Sequence, residues 1–269
     1  MALNLLSRQT TAELPAMANY YWRMVVTSSC FVAFAACGLL FSVLLFPVLC
    51  LVSAESRRVP VRWLIHKFFS LILAVLRSTG CMRLEIVGVE RLRNAGAVLV
   101  LANHPTYIDV VVLLSLLPTA NCVVKSDHWD NPVFGGILRM AGWIRGSRAD
   151  QLALDCSQAL DAGEPLIIFP EGTRSDPGAP VKFLRGAAYI AVKSGKPIVP
   201  VLLQCDPPTL NKSSRWYQVP PRPFHYRVAV RNTLRADTLT DTRQASPVTA
   251  ARRLTSALEG YFSDQLSVP

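Results

Sequence analysis

The stretch Leu99-Val100-Leu101-Ala102-Asn103-His104-Pro105-Thr106-Tyr107-Ile108-Asp109 sets an imidazole five residues ahead of a carboxylate, directly after an apolar run. A carboxylate on one ring nitrogen fixes the tautomer and leaves the other nitrogen to take a proton, which is the arrangement of a general base. On one continuous helix this spacing would put the two side chains on different faces. With His104 at the N-cap, just outside the helix, a carboxylate one turn in leans back toward the N-terminus and reaches the ring. The expected frame is therefore a buried strand, a tight turn and a helix whose first turn is Pro105-Thr106-Tyr107. Pro105 suits the first helical position, where its missing N–H costs nothing. The plainer reading is a capping histidine with a solvent-facing aspartate.

A second candidate set is Phe169-Pro170-Glu171-Gly172-Thr173-Arg174-Ser175, which follows the most apolar strand-like run. Gly172 permits an otherwise strained backbone, so that Glu171, Thr173 and Arg174 can point into one pocket. Arg174 offers a planar fork suited to phosphate, and Glu171 can hold it or bind a substrate hydroxyl. A surface turn with a local Glu–Arg pair accounts for the same residues. Two further cationic sets are Lys182 with Arg185, and Gly142-Trp143-Ile144-Arg145-Gly146-Ser147-Arg148. Guanidinium groups beside helix N-termini form anion sites, and in isolation such clusters are also solvated faces.

These residues need a scaffold, and the apolar pattern supplies one. Strands are expected at Leu84–Val87, Val98–Ala102, Cys122–Lys125, Pro165–Phe169 and Ile198–Leu203, with an edge strand at Tyr226–Val230. Helices are expected after Asp109 as far as Pro118, over Asn131–Ala141, Gln151–Ala162 and Ala187–Lys193, and from Ser246-Pro247 to about Phe262. Polar, proline-rich Asp206–Pro223 reads as a long loop. Alternating strands and helices argue an α/β fold with a mostly parallel central sheet flanked by helices. In such sheets the site lies at the C-terminal edge of the strands, where both motifs fall.

Ahead of this region lies a different kind of sequence. Met24–Ala54 carries no charge and exceeds the roughly 20 residues needed to cross a bilayer core. It is too long and starts too late for a cleaved signal peptide. Tyr20, Tyr21 and Trp22 stand where an interfacial aromatic belt belongs, and Pro47 is expected to kink or end the helix. Trp63–Leu76 reads as a second, shorter apolar helix, interfacial or packed on the first. The basic flank at Arg57, Arg58 and Arg62 predicts that the C-terminal domain faces the cytoplasm. The expected organisation is membrane-anchoring helices over residues 1–80 and an α/β domain over 81–269, at the cytoplasmic membrane. Whether the first segment spans or enters one leaflet is open at this point.

The totals agree with such a partner. The 269 residues carry a formal net charge of +10, with mean hydropathy of +0.30, which suits an anionic lipid surface or phosphorylated substrate. No zinc-finger spacing or RNP-like motif points to nucleic acid. Seven cysteines without a C-x-x-C pair argue for reduced thiols in a cytosol-facing domain, not for a metal site.

Taken in order, Asn103-His104-Pro105 with Asp109, Gly142 to Arg148, Phe169 to Ser175, Phe183-Leu184-Arg185-Gly186-Ala187 and Ile198-Val199-Pro200-Val201 resemble the glycerolipid acyltransferases of the lysophosphatidic-acid acyltransferase type. The resemblance covers about Ile86–Leu203. It implies that His104 is the general base and Asp109 its orienting partner, acting on a lysolipid hydroxyl that attacks the thioester of acyl-CoA or acyl carrier protein. It implies an acceptor site made of Glu171, Gly172, Thr173 and Arg174, with Arg148, Lys182 and Arg185 as further cations. No cofactor or metal is implied, the acyl donor being a co-substrate. The expected product is phosphatidic acid. Departures from the family pattern are Leu184 after Phe183, Ser147 before Arg148, and the segment Pro207–Pro220. These are similar to acyltransferases of specialised-lipid pathways, so a lyso-ornithine lipid or aryl-polyene-type acceptor is the alternative. A catalytically silent lipid-binding protein and a hydrolase are the rival classes, although no G-x-S-x-G nucleophile elbow is present.

Overall fold

Strand β2 (Leu99–Ala102) is buried at every residue and lies at the centre of a seven-stranded sheet. The computed structural model describes residues 2–45, 48–49, 51–93, 96–147, 149–215, 217–240 and 245–267. The other strands are β1 (Met82–Val87), β3 (Asn121–Val124), β4 (Ile144–Arg145), β5 (Leu166–Ile168), β6 (Ile198–Asp206) and β7 (Phe224–Val230). Their order is β1-β7-β6-β2-β5-β3-β4, parallel throughout except for the antiparallel β6/β7 pair.

Both faces of the sheet are covered, as a mostly parallel sheet requires. Val100, Ala102, Ile167, Val199 and Val201 face one apolar layer, and Leu99, Leu101, Leu166, Ile168, Ile198 and Leu202 face the other. This period of two is the pleat itself. The first layer is closed by α2 (Ala54–Ser78), α4 (Ile108–Leu116) and α6 (Gly135–Met140); the second by α7 (Ala149–Asp161), α8 (Arg185–Ser194) and α10 (Pro247–Ser267). Short helical turns α3 (Glu90–Arg93), α5 (Ser126–Trp129) and α9 (Ala236–Leu239) lie in the connections. Helix α8 ends on Gly195 in the left-handed conformation (φ 61°), which closes the last turn. Ser246 Oγ accepts the Thr249 N–H at the start of α10, as expected.

Several expectations need correction. The segment Tyr226–Val230 is not at an edge: β7 runs between β1 and β6, and it starts at Phe224. Alternating exposed His225 and partly exposed Arg227 imitate an edge, but the strand's ladder is filled on both sides. Helix α4 starts at Ile108, not Pro105, and its N-cap is Tyr107. The amides of Thr106 and Tyr107 are taken by the Asp109 carboxylate and by Leu210 O, so the chain stays open there. The helix expected over Asn131–Ala141 is confined to Gly135–Met140, because Asn131 Oδ1 caps the turn at Val133 and Phe134.

The N-terminal region also differs. Helix α1 (Ala2–Leu40) starts well before Met24 and passes into a wider turn at Phe41–Leu45; Pro47 lies outside the described residues. The second helix is α2 rather than the shorter Trp63–Leu76, with Ser53 accepting the Ser56 N–H at its start. Met17–Leu40 and Ala54–Ser78 are each long and apolar enough to cross a membrane. Helix α2 is nonetheless seated on the domain. Arg62, 4% exposed, donates to Ala141 O at 2.7 Å and Thr119 O at 2.9 Å, and pairs with Glu164 at 3.0 Å. Asn121 Nδ2 holds the same carboxylate at 2.9 Å.

Removing Arg62 takes from the partly buried Glu164 carboxylate its cationic partner, leaving it Asn121, and takes from the Ala141 and Thr119 carbonyls their guanidinium donor. Arg62→Met should therefore lower stability by about 3 kcal/mol, read as a drop in the thermal midpoint. Adding Glu164→Gln should restore part of it. A midpoint equal to wild type for Arg62→Met would show that this pair does not hold α2 in place.

Candidate active site

The site is set by strand register. Strand β2 pairs with β5 so that Leu101 lies beside Ile168. Continued three residues past that pair, the same offset brings His104 level with Glu171. The His104 N–H donates to Glu171 Oε1 at 2.7 Å, as that offset requires. On the other side of β2, Asn103 exchanges two hydrogen bonds of 2.8 Å with the backbone of Leu203 in β6. The loop that carries the imidazole is thus tied to both neighbouring strands.

The loop after β5 completes the mount. Ser175 N–H donates to His104 O at 2.9 Å, and the Phe169 ring stacks on the imidazole with centroids 4.2 Å apart. Gly172 makes the turn with φ +69°; a Cβ there would come 2.6 Å from Leu184 Cδ1. The backbone conformation is what demands glycine at that position, since the exposed Leu184 side chain could swing away from a Cβ.

His104 Nδ1 lies 2.7 Å from Asp109 Oδ2. The imidazole keeps 16% of its surface exposed, whereas the carboxylate has none. Asp109 Oδ2 also accepts the Thr106 N–H at 2.8 Å, and Oδ1 accepts the hydroxyls of Thr106 and Tyr226, each at 2.5 Å. With hydroxyl and amide donors filling the carboxylate, His104 Nδ1 stands as its fourth donor. That leaves Nε2 as the nitrogen able to accept a proton. The solvent-facing aspartate of the plainer reading is not what forms.

Of the remaining predicted residues, Glu171 touches the dyad through the His104 backbone, and the other described ones make no hydrogen bond to either side chain of the pair. Glu171 serves the histidine backbone, and burial pushes its carboxyl above the usual range, opposed by the His104 N–H and Ser175 hydrogen bonds. Arg174 turns to the long loop after β6, where its Nη1 donates to Leu210 O at 3.0 Å and to Asn211 O. Its guanidinium lies 3.3 Å from the centre of the Tyr107 ring. Thr173, Lys182 and Arg185 are exposed, and Arg148 lies outside the described residues. Glu171 and Arg174 therefore reach different partners instead of forming the local pair. A cavity of about 390 Å³ opens beside the loop, lined by Asn103, Thr106, Glu171, Cys205 and Asn211 among others. Burial pushes the Cys205 thiol up to about 12, which keeps it protonated.

Two contributors have no signal in the sequence. Thr106 sits inside the first motif, but nothing in its spacing shows a hydroxyl aimed at Asp109. Tyr226 approaches from β7, far along the chain, and only tertiary pairing brings it there.

With this geometry in hand, known proteins provide a comparison. Residues 83–204 match the family model described as Acyltransferase. The chain is 31% identical over 144 residues to a chloroplast 1-acyl-sn-glycerol-3-phosphate acyltransferase of Brassica napus, covering 51% of this chain and 42% of that protein. It is 34% identical over 137 residues to the 1-acyl-sn-glycerol-3-phosphate acyltransferase of Helicobacter pylori, covering 47% and 58%. The chain thus spans about half the length of the curated relatives it matches. The crystal structure of the 1-acyl-sn-glycerophosphate acyltransferase PlsC from Thermotoga maritima shares the fold, with a TM-score of 0.63 at 20% identity over 95% of this chain and 98% of that one.

The raised Glu171 carboxyl has a testable sign. The folded state holds this proton more tightly than the unfolded chain, so its contribution to stability falls as pH rises from the ordinary carboxyl range through the raised value. Glu171→Gln keeps an oxygen acceptor for the His104 N–H and removes that penalty. Its thermal midpoint relative to wild type should rise between about pH 4 and about pH 7. A constant difference across that range would contradict the burial effect.

Proposed function

We propose that this chain, whose residues 83–204 match the acyltransferase family model, is an O-acyltransferase that esterifies the free hydroxyl of a lysophospholipid at a membrane surface. The acceptor that fits best is 1-acyl-glycerol-3-phosphate, which would give phosphatidic acid. The donor is a thioester, acyl-CoA or acyl carrier protein. One observation carries the reading: a 2.7 Å contact joins His104 Nδ1 to a fully buried Asp109 at the C-terminal edge of the central strand.

The chemistry starts from that contact. His104 Nε2 takes the proton of the acceptor hydroxyl as its oxygen attacks the thioester carbonyl. The carbon–sulfur bond then breaks, and the imidazolium returns the proton to the leaving thiolate as a thiol. Asp109 holds the ring in the required tautomer and stabilises the imidazolium while it exists. No acyl-enzyme is needed. Arg174, Lys182, Arg185 and Arg148 would supply the positive field for the acceptor phosphate, in keeping with the net charge of +10. For Arg174 this means exchanging neutral carbonyl partners for an anion, a stronger hydrogen bond. The apolar helices Met17–Leu40 and Ala54–Ser78 would keep the domain at the bilayer from which the acceptor comes, on its cytoplasmic side.

A specialised acceptor is the second reading, because the proline-rich loop held by Arg174 and Tyr107 stands next to the histidine loop. The test is a panel of lysophosphatidic acid, lyso-ornithine lipid and a polyene-type glycolipid, each offered with acyl-CoA and with acyl carrier protein. Thiol release with lysophosphatidic acid should exceed that with the others, and His104→Ala should lower kcat about 10²- to 10⁴-fold with the fold intact. Near-wild-type transfer by His104→Ala would overturn the mechanism. Preference for a phosphate-free acceptor would overturn the substrate assignment, and free fatty acid without an acceptor would indicate a hydrolase.

A further inference from the structure

Asp109 Oδ2 faces the imidazole and also takes the Thr106 N–H, while its other oxygen is held by a pair of hydroxyls. One of them arrives with its own loop, from Thr106. The other belongs to Tyr226, a fully buried side chain on β7, held between Cys205 of β6 and Leu84 of β1. Tyr226 lies outside the residues that match the family model.

From this geometry, and resting on the acyltransferase reading, we infer that Tyr226 is a positioning residue for the reaction. Its hydroxyl fixes the plane of the Asp109 carboxylate and draws off part of its charge, and thereby sets how firmly Asp109 holds a protonated His104. A tyrosine suits the task because it is rigid, buried by its ring and polar only at the tip. Burial raises its hydroxyl well above the usual phenol range, and the neighbouring Asp109 charge raises it further, so it stays a donor at every working pH.

The titratable groups that face Asp109 come from four places. His104 is on the same loop, Glu171 lies in the loop after β5, Cys205 is on β6 and Tyr226 on β7. Cys205 is protonated and neutral. Among these groups only Tyr226 and His104 hydrogen-bond the carboxylate directly. Loss of the phenol hydroxyl would concentrate negative charge on Asp109, which then favours the imidazolium more strongly.

The test compares wild type with Tyr226→Phe, which keeps the ring and its packing. The acid limb of the kcat/KM profile should move to higher pH by about half a unit, and kcat should fall about tenfold near neutral pH, with KM for the lysolipid unchanged. The midpoint of the His104 ring titration, followed by ¹H–¹⁵N spectroscopy without substrate, should move in the same direction. A purely structural role would lower the thermal midpoint and leave both pH midpoints in place, and that result would overturn the inference. Because the spectroscopic readout needs no turnover, absence of acyl transfer in wild type would sink the functional reading while Tyr226 is still decided by the ring titration.

Discussion

A carboxylate with no exposed surface cannot be left without donors, because the cost of burying its charge exceeds what one hydrogen bond returns. Asp109 meets that demand with Thr106, Tyr226 and His104. Meeting it dictates much of the local structure. The chain after β2 must stay open to offer the Thr106 amide, helix α4 must start late enough to set Asp109 in its first turn, and β7 must lie inside the sheet to bring Tyr226 across. The histidine is then the one member of the cluster that still reaches solvent. Its own backbone is clamped by Glu171 and Ser175, so the ring is held from below, behind and beside.

How much of this the residues disclose depends on the range of the interaction. Strands β2, β5 and β6 are visible because buried parallel strands are continuous apolar runs, Leu99–Ala102 being the clearest. The dyad is visible because both partners lie within one short motif. The start of α4 is not, since Pro105 is a good local signal for a helical first turn and is outvoted by tertiary bonds from Asp109 and Leu210. The placement of β7 is hidden for a related reason: parallel pairing with β1 joins chain segments that no local pattern connects. Tyr226 is lost with it.

The second motif shows a different lesson. Glu171 and Arg174 read as neighbours able to pair, or to share one ligand, because they are three residues apart. The turn at Gly172 sends them to separate duties, Glu171 to the histidine backbone and Arg174 to the carbonyls of Leu210 and Asn211 over the Tyr107 ring. One motif thus both mounts the base and ties down the loop beside it. Arg62 plays the corresponding part at the opposite side of the domain, where it pins an apolar helix to Thr119, Ala141 and Glu164. Sheet, base and apolar helices are in this way mechanically continuous.

The central claim is that a buried carboxylate assigns the proton of the imidazole to Nδ1 and leaves Nε2 as the acceptor. It is tested most directly by ¹⁵N spectra of the ring nitrogens in histidine-labelled protein, with the His104 signals identified by substitution among the four histidines. The account predicts that neutral His104 is the Nδ1–H tautomer, with a proton resonance shifted far downfield that disappears in Asp109→Asn. An Nε2–H tautomer in wild type, or a resonance indifferent to Asp109, would contradict it.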